Sequence, residues 1–185
     1  MDVIQVIGLS GSLRKASYNT ALLRAALELA PTEMRLEILD LAPLPIFNPD
    51  VEKPFPETVM EFRHRLEQAD AVLMATPEYN GSISGVLKNA LDWVSRPPHP
   101  PLSGKPVAIM GASTGNFGTL RAQLHLRQIL THLGAFPLGK PEVLVARAEQ
   151  AFDSNGKLVD EVARGFLRDL LIALVAWTRR VSQPR

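Results

Sequence analysis

The chain has 185 residues, 46% hydrophobic and 21% charged, with 20 Lys plus Arg against 19 Asp plus Glu. This is the composition and length of one globular domain, 1–185, and its balanced charge excludes the basic stripe that nucleic-acid binding needs. There is no cysteine, which excludes disulfides, thiolate metal sites and cysteine nucleophiles, so redox chemistry would have to come from a bound cofactor.

The chain opens with an acid, Asp2, and no basic stretch, and the apolar run that follows stops at Ser10, Gly11 and Ser12. That pattern predicts no export signal and a cytoplasmic chain. The run itself, residues 3–9, is brief and β-branched and reads as a buried strand. Leu22, Leu23, Ala26, Leu27 and Ala30 recur at helical spacing up to Pro31, predicting a first helix over residues 19–30. Leu36, Ile38 and Leu39 mark a second strand. The stretch after it holds Pro43, Pro45, Pro49, Pro54 and Pro56, too many for a regular element, and predicts a long surface loop.

Val59, Phe62, Leu66 and Ala69 predict a second helix, and residues 71–75 a third strand ended by Thr76 and Pro77. The alternation then repeats. Val86, Leu87, Ala90, Leu91 and Val94 give a third helix stopped by Pro97, and residues 107–110 a fourth strand. Leu120, Leu124, Ile129, Leu130 and Leu133 give a fourth helix closed by Gly134. A fifth strand is expected at 143–146 and a last helix, apolar on most sides, at 162–181. The longest wholly apolar run, residues 170–177, falls far short of the roughly 18 residues that span a bilayer.

Strands alternating with helices predict an α/β fold, a parallel sheet covered on both faces, for which five strands suggest the flavodoxin-like order 2-1-3-4-5. Ligands of such sheets bind beyond the carboxyl ends of the strands, so the loops after strands one, three and four carry the information. In the first, Ser10, Ser12, Arg14, Ser17, Asn19 and Thr20 gather hydroxyls, an amide and a guanidinium at a helix start, which suits a phosphate. A helix cap and a solvated turn would use the same residues. Spacing excludes two rivals. Five residues after Gly8 stands Leu13, where a triphosphate loop needs glycine, and two after it stands Ser10, where a dinucleotide fingerprint needs glycine.

The loop after strand three runs through Pro77, Glu78, Tyr79, Asn80, Gly81 and Ser82, with Asn80-Gly81 supplying a tight turn. Its amides and one aromatic could clamp a flat heterocycle. In the loop after strand four, residues 111–115 match the G-x-S-x-G nucleophile elbow around Ser113. No histidine follows any downstream acid, however, because His125 and His132 both precede Glu142, the first carboxylate after Ser113. The hydrolase reading fails. Ser113 and Gly115 are better read as polar and close-approach neighbours of a bound ring.

The segments 11–19 (GSLRKASYN) and 77–82 (PEYNGS), followed by LKNALDW at 87–93, resemble the NADPH-dependent FMN reductase family, which includes quinone, azo-dye and chromate reductases. The resemblance spans nearly the whole chain in order and spacing. It implies FMN as cofactor, its phosphate held by Ser10, Ser12, Arg14, Ser17, Asn19 and Thr20. It further implies an isoalloxazine lying along Pro77, Glu78, Tyr79, Asn80, Gly81 and Ser82, with the third loop, hence Ser113 and Gly115, meeting it as well. NADPH or NADH would be the co-substrate, a small molecule the electron acceptor, and the assembly a homodimer or homotetramer.

The mechanism expected on that basis is ping-pong, with hydride passing to flavin N5, and it asks for no catalytic side chain and no metal. A flavodoxin-like electron carrier is the alternative. His64, His99, His125 and His132 form no metal motif and are read as packing or surface residues. Lys88 and Asp92 are read as a helix-face pair, Arg179 and Arg180 as cations favoured by a helix end, and Phe166 and Trp177 as core.

Overall fold

A computed structural model describes residues 2–182 of the chain. The strands are β1 (Ile4–Ser10), β2 (Met34–Leu39), β3 (Ala71–Ala75), β4 (Pro106–Ala112), β5 (Phe136–Pro137) and β6 (Val143–Val145). The helices are α1 (Tyr18–Leu29), α2 (Glu57–Gln68), α3 (Gly85–Val94), α4 (Leu120–His132), α5 (Ala148–Ala151) and α6 (Glu161–Val181). All strand pairs are parallel and the order is β2-β1-β3-β4-β5, with β6 also on β4. This is the flavodoxin-like α/β arrangement.

Successive strand residues serve opposite faces of the sheet. Val6, Leu73 and Met110 pack with α1 and α6, while Ile7, Val72 and Ile109 pack with α2, α3 and α4. Helices on both faces explain why these strands read as unbroken apolar runs.

Three expectations need correction. The fifth strand is split: β5 pairs with Pro106 and Val107, and β6 with Met110, Gly111 and Ala112. Pro137 ends β5 and Pro141 stands between the two pieces, neither with an N–H to donate, so one continuous ladder cannot form there. α6 is two-sided, because Leu167, Leu170, Leu171 and Leu174 are buried whereas Val162, Phe166 and Ile172 are more than half exposed. Phe166 is therefore a surface residue. Trp177 is half-buried and donates its indole N–H to Phe136 O (3.0 Å).

The proline-dense segment does contain one short 3₁₀ turn, Pro49–Val51. It is fastened to α3 along its length. Asn89 Nδ2 (2.9 Å) and Trp93 Nε1 (2.7 Å) both donate to Pro45 O, and Phe47 N donates to Asn89 Oδ1 (2.7 Å). The Phe47 ring meets Trp93 edge-on at 5.0 Å, and Arg96 pairs with Glu52 at 2.6 Å. Buried Arg63 adds bonds to the carbonyls of Trp93 (3.0 Å) and Pro98 (2.9 Å), fixing the second proline cluster. Among the described residues no helix is long and apolar enough to cross a membrane.

Candidate active site

The carboxyl ends of β1, β3 and β4 open into one cleft of about 460 Å³. Loop one and the start of α1 contribute Ser12, Arg14, Ser17, Tyr18 and Asn19; loop two contributes Pro77, Glu78 and Tyr79; loop three contributes Ala112, Ser113 and Thr114. Eight of the residues singled out from sequence thus meet in one place.

α1 begins here because Ser17 is extended, with φ −75° and ψ 123°, and its Oγ accepts the Thr20 N–H (3.3 Å). The other first-turn amides have no partner inside the helix and face the cleft end with the positive pole of the helix dipole. Arg14 sits 5.5 Å over the Tyr18 ring and makes no ion pair among the described residues. This donor set fits a phosphate.

The floor is braced by Asn19, which is buried. β3 is hydrogen-bonded to β4 only as far as Met110, whose carbonyl takes the Thr76 N–H (3.0 Å). Two residues on, Ala112 presents an N–H and a C=O in the same direction with no β3 residue opposite. The Asn19 amide fills the gap, accepting from Ala112 N and donating to Ala112 O, both at 3.0 Å.

Loops one and two touch at Gly11, where a Cβ would lie 2.9 Å from Pro77 Cδ and 3.0 Å from Ser84 Oγ. Ser84 also donates to Gly11 O (2.5 Å) and caps α3 by accepting from Leu87 N (3.1 Å). Loop two then turns at Asn80 and Gly81, both with positive φ (51° and 73°), between paired Tyr79 and Ser82. Two positive φ values in a two-residue turn explain why Asn-Gly is used. Glu78 is not free. Its carboxylate accepts the N–H groups of Arg121 (3.0 Å) and Ala122 (3.3 Å) at the start of α4 and pairs with the Arg121 guanidinium (3.1 Å).

The remaining expected residues lie elsewhere. Ser10 and Thr20 join hydroxyls at 2.8 Å and line a neighbouring cleft on the β2 side of loop one. Asn80, Gly81 and Ser82 form the tip of their turn outside the lining, with Ser82 Oγ 3.0 Å from His125 Nδ1. Gly115 is exposed and its carbonyl accepts from Arg147 N (3.2 Å). Ser113 Oγ donates to Gly118 O, and the nearest downstream histidine is bound to Ser82, so no base serves it as a nucleophile. Gly111, in the same motif, is small because a Cβ there would lie 1.9 Å from Thr119 Oγ1.

Sequence reasoning missed Tyr18 and Ser84. Tyr18 falls in the loop just before the expected helix start at Asn19 and has no expected role there, whereas Ser84, three residues before Leu87 at a helix start, carries a cap signal that could have found it. Among the described residues no cluster of metal-ligating side chains occurs.

The sequence profile of the NADPH-dependent FMN reductase family matches residues 4–150. An NAD(P)H-dependent FMN reductase of Pseudomonas aeruginosa is 53% identical over 97% of this chain and 98% of its own. An NADPH:quinone oxidoreductase of Arabidopsis thaliana is 45% identical over 97% and 94%. Among solved structures, the flavoenzyme NAD(P)H:(acceptor) oxidoreductase FerB of Paracoccus denitrificans superposes with a TM-score of 0.88 at 36% identity, over 96% of this chain and 98% of that one.

Proposed function

The chain belongs to the NADPH-dependent FMN reductase family, and from that premise we propose that the three-loop cleft is its FMN seat, served by the whole chain, 1–185, as one domain. It is an NAD(P)H-dependent oxidoreductase of the FMN and quinone reductase class. The observation that carries the reading is the convergence of Ser12, Arg14, Ser17, Asn19, Pro77, Glu78, Tyr79 and Ser113 on one cleft.

FMN held there would supply the redox chemistry, with N5 as the hydride acceptor from NAD(P)H and a quinone, azo compound, free flavin or metal oxyanion as the ping-pong electron acceptor. The protein's part is to hold and orient. Arg14 and the first-turn amides of α1 would hold and neutralise the FMN phosphate. Pro77, Tyr79 and Ala112 would supply the walls for the ring, and Ser113 and Thr114 polar neighbours for it. The one carboxylate in the cleft, Glu78, is occupied by α4, so the site carries no acid–base pair and needs none for hydride transfer. The solution assembly in this reading is a homodimer or homotetramer in the cytoplasm.

Two measurements test it. Purified protein given FMN should carry a yellow chromophore through gel filtration and bleach rapidly with NADPH under anaerobic conditions. A colourless protein refutes the seat, and a persistent yellow colour leaves an electron carrier. Arg14→Ala should weaken FMN binding by about tenfold or more, the worth of one charge-assisted hydrogen bond to phosphate. Unchanged affinity would refute the phosphate assignment.

A further inference from the structure

Loop one divides two clefts. On its β2 side lies the second, of about 270 Å³, which shares Ser12 and Arg14 with the first and adds Lys15 from the loop and Arg24 from α1. Arg14, Lys15 and Arg24 make no ion pair among the described residues, whereas Arg65, Arg96, Arg121 and Arg164 all do. One acid faces the three cations. It is Asp40, and one of its oxygens is occupied by the N–H of Ala42 (2.9 Å). Leu13, Ile38, Leu39 and Leu41 form an apolar wall, and the hydroxyls of Ser10, Ser12 and Thr20 complete the lining. Leu13 is 53% exposed.

We propose that this second cleft takes the adenosine 2′-phosphate of NADPH, and that Lys15 and Arg24 are what distinguish NADPH from NADH. The inference rests on the FMN seat proposed above and names the co-substrate's own anchor beside it. Three chemical features support it. A phosphate monoester carries close to two negative charges at neutral pH, which suits Lys15 and Arg24, two cations of this cleft that make no ion pair among the described residues. The apolar wall suits the flat face of an adenine, and the free oxygen of Asp40 suits a ribose hydroxyl. Ser17, Tyr18 and Asn19, the start of α1 to which the FMN phosphate is assigned, line the first cleft and not the second. Because Ser12 and Arg14 belong to both clefts, a dinucleotide anchored in one has its other end next to the first.

The test is calorimetry of the FMN-loaded protein with 2′,5′-ADP, 5′-ADP and inorganic phosphate, on wild type and on Arg24→Ala, an exposed position. Wild type should bind 2′,5′-ADP about tenfold more tightly than either competitor, and Arg24→Ala should abolish that margin. The KM for NADPH should rise about tenfold in the variant while the KM for NADH and the FMN affinity stay unchanged. Arg24→Lys, which keeps the charge, should recover part of the loss. Equal binding of 2′,5′-ADP and 5′-ADP by wild type overturns the proposal. So does inorganic phosphate binding as tightly as 2′,5′-ADP, or an equal loss of NADPH and NADH. Failure of FMN to load is a separate result against the FMN seat, since the nucleotide preference can still be titrated on the unloaded chain.

Discussion

Replacing Asn19, in the first turn of α1, with alanine should destabilise the protein by removing the brace under the cleft floor. The side chain is 3% exposed and makes two hydrogen bonds of 3.0 Å to the backbone of Ala112, one as donor and one as acceptor. Ala112 is itself buried, and β3 has already ended opposite it. Removing the amide leaves a buried N–H and a buried C=O without partners, each costing about 1–3 kcal/mol. Water entering from the cleft recovers part of this, so the expected loss is about 2–4 kcal/mol. For a chain of this size each kcal/mol lowers Tm by about 2–4 °C. Asn19→Asp should be no better at neutral pH, because a carboxylate can accept from Ala112 N but has nothing to give Ala112 O. Urea unfolding of both variants, followed by circular dichroism, measures the effect. A loss under about 1 kcal/mol with an unchanged m value would show that Ala112 finds other partners, and the account of the cleft floor would fall.

Gly111→Ala should cost about 3 kcal/mol or more, since its Cβ would lie 1.9 Å from Thr119 Oγ1 and 2.6 Å from Thr76 O. Adding Thr119→Ala should recover only part of that, because the Thr76 carbonyl stays in place; full recovery in a melting experiment would refute this. Arg147 is left-handed, with φ 46° and ψ 50°, so Arg147→Gly should stabilise by about 0.5–1 kcal/mol after the greater flexibility of unfolded glycine is allowed for. A lower urea midpoint would contradict the strain. The hydrogen bond from Arg96 holds the Glu52 carboxyl below its ordinary value of 4.5. On acidification the unfolded chain therefore takes up this proton first. The stabilisation is complete above 4.5 and disappears as pH falls through the lower folded value. Glu52→Gln should flatten the fall in urea midpoint across that acidic range, and an unchanged pH profile would exclude the pair as its source.

Much of the fold was legible because β1, β3 and β4 are short, largely buried apolar runs that end at polar or turn-forming residues. β3 starts and stops at the residues expected from sequence, Ala71 and Ala75. The split of the fifth position was not legible, since β5 is a two-residue Phe-Pro strand with no periodicity to detect. Nor was the outward side of α6. A 21-residue helix rich in apolar residues offers several stripes, and the sheet decides that Leu167, Leu170, Leu171 and Leu174 face inward.

At the candidate site the residue types announced the loops but not the direction of each side chain. Ser10 and Thr20 flank loop one yet bond to each other on its far side, and Glu78 belongs to loop two yet serves α4. Such commitments depend on pairs distant in sequence, such as Asn19 with Ala112 or Glu78 with Arg121, and a single chain read locally contains no signal for them.

The segment between β2 and α2 has almost no regular structure, yet Pro45, Phe47 and Glu52 are each tied to α3 or to the residue just past it. Irregularity and looseness are different properties. Tolerance to substitution in this stretch should lie between its moorings, as at exposed Ile46, while damage to Asn89 or Trp93 would release the strap from a helix it never pairs with as secondary structure.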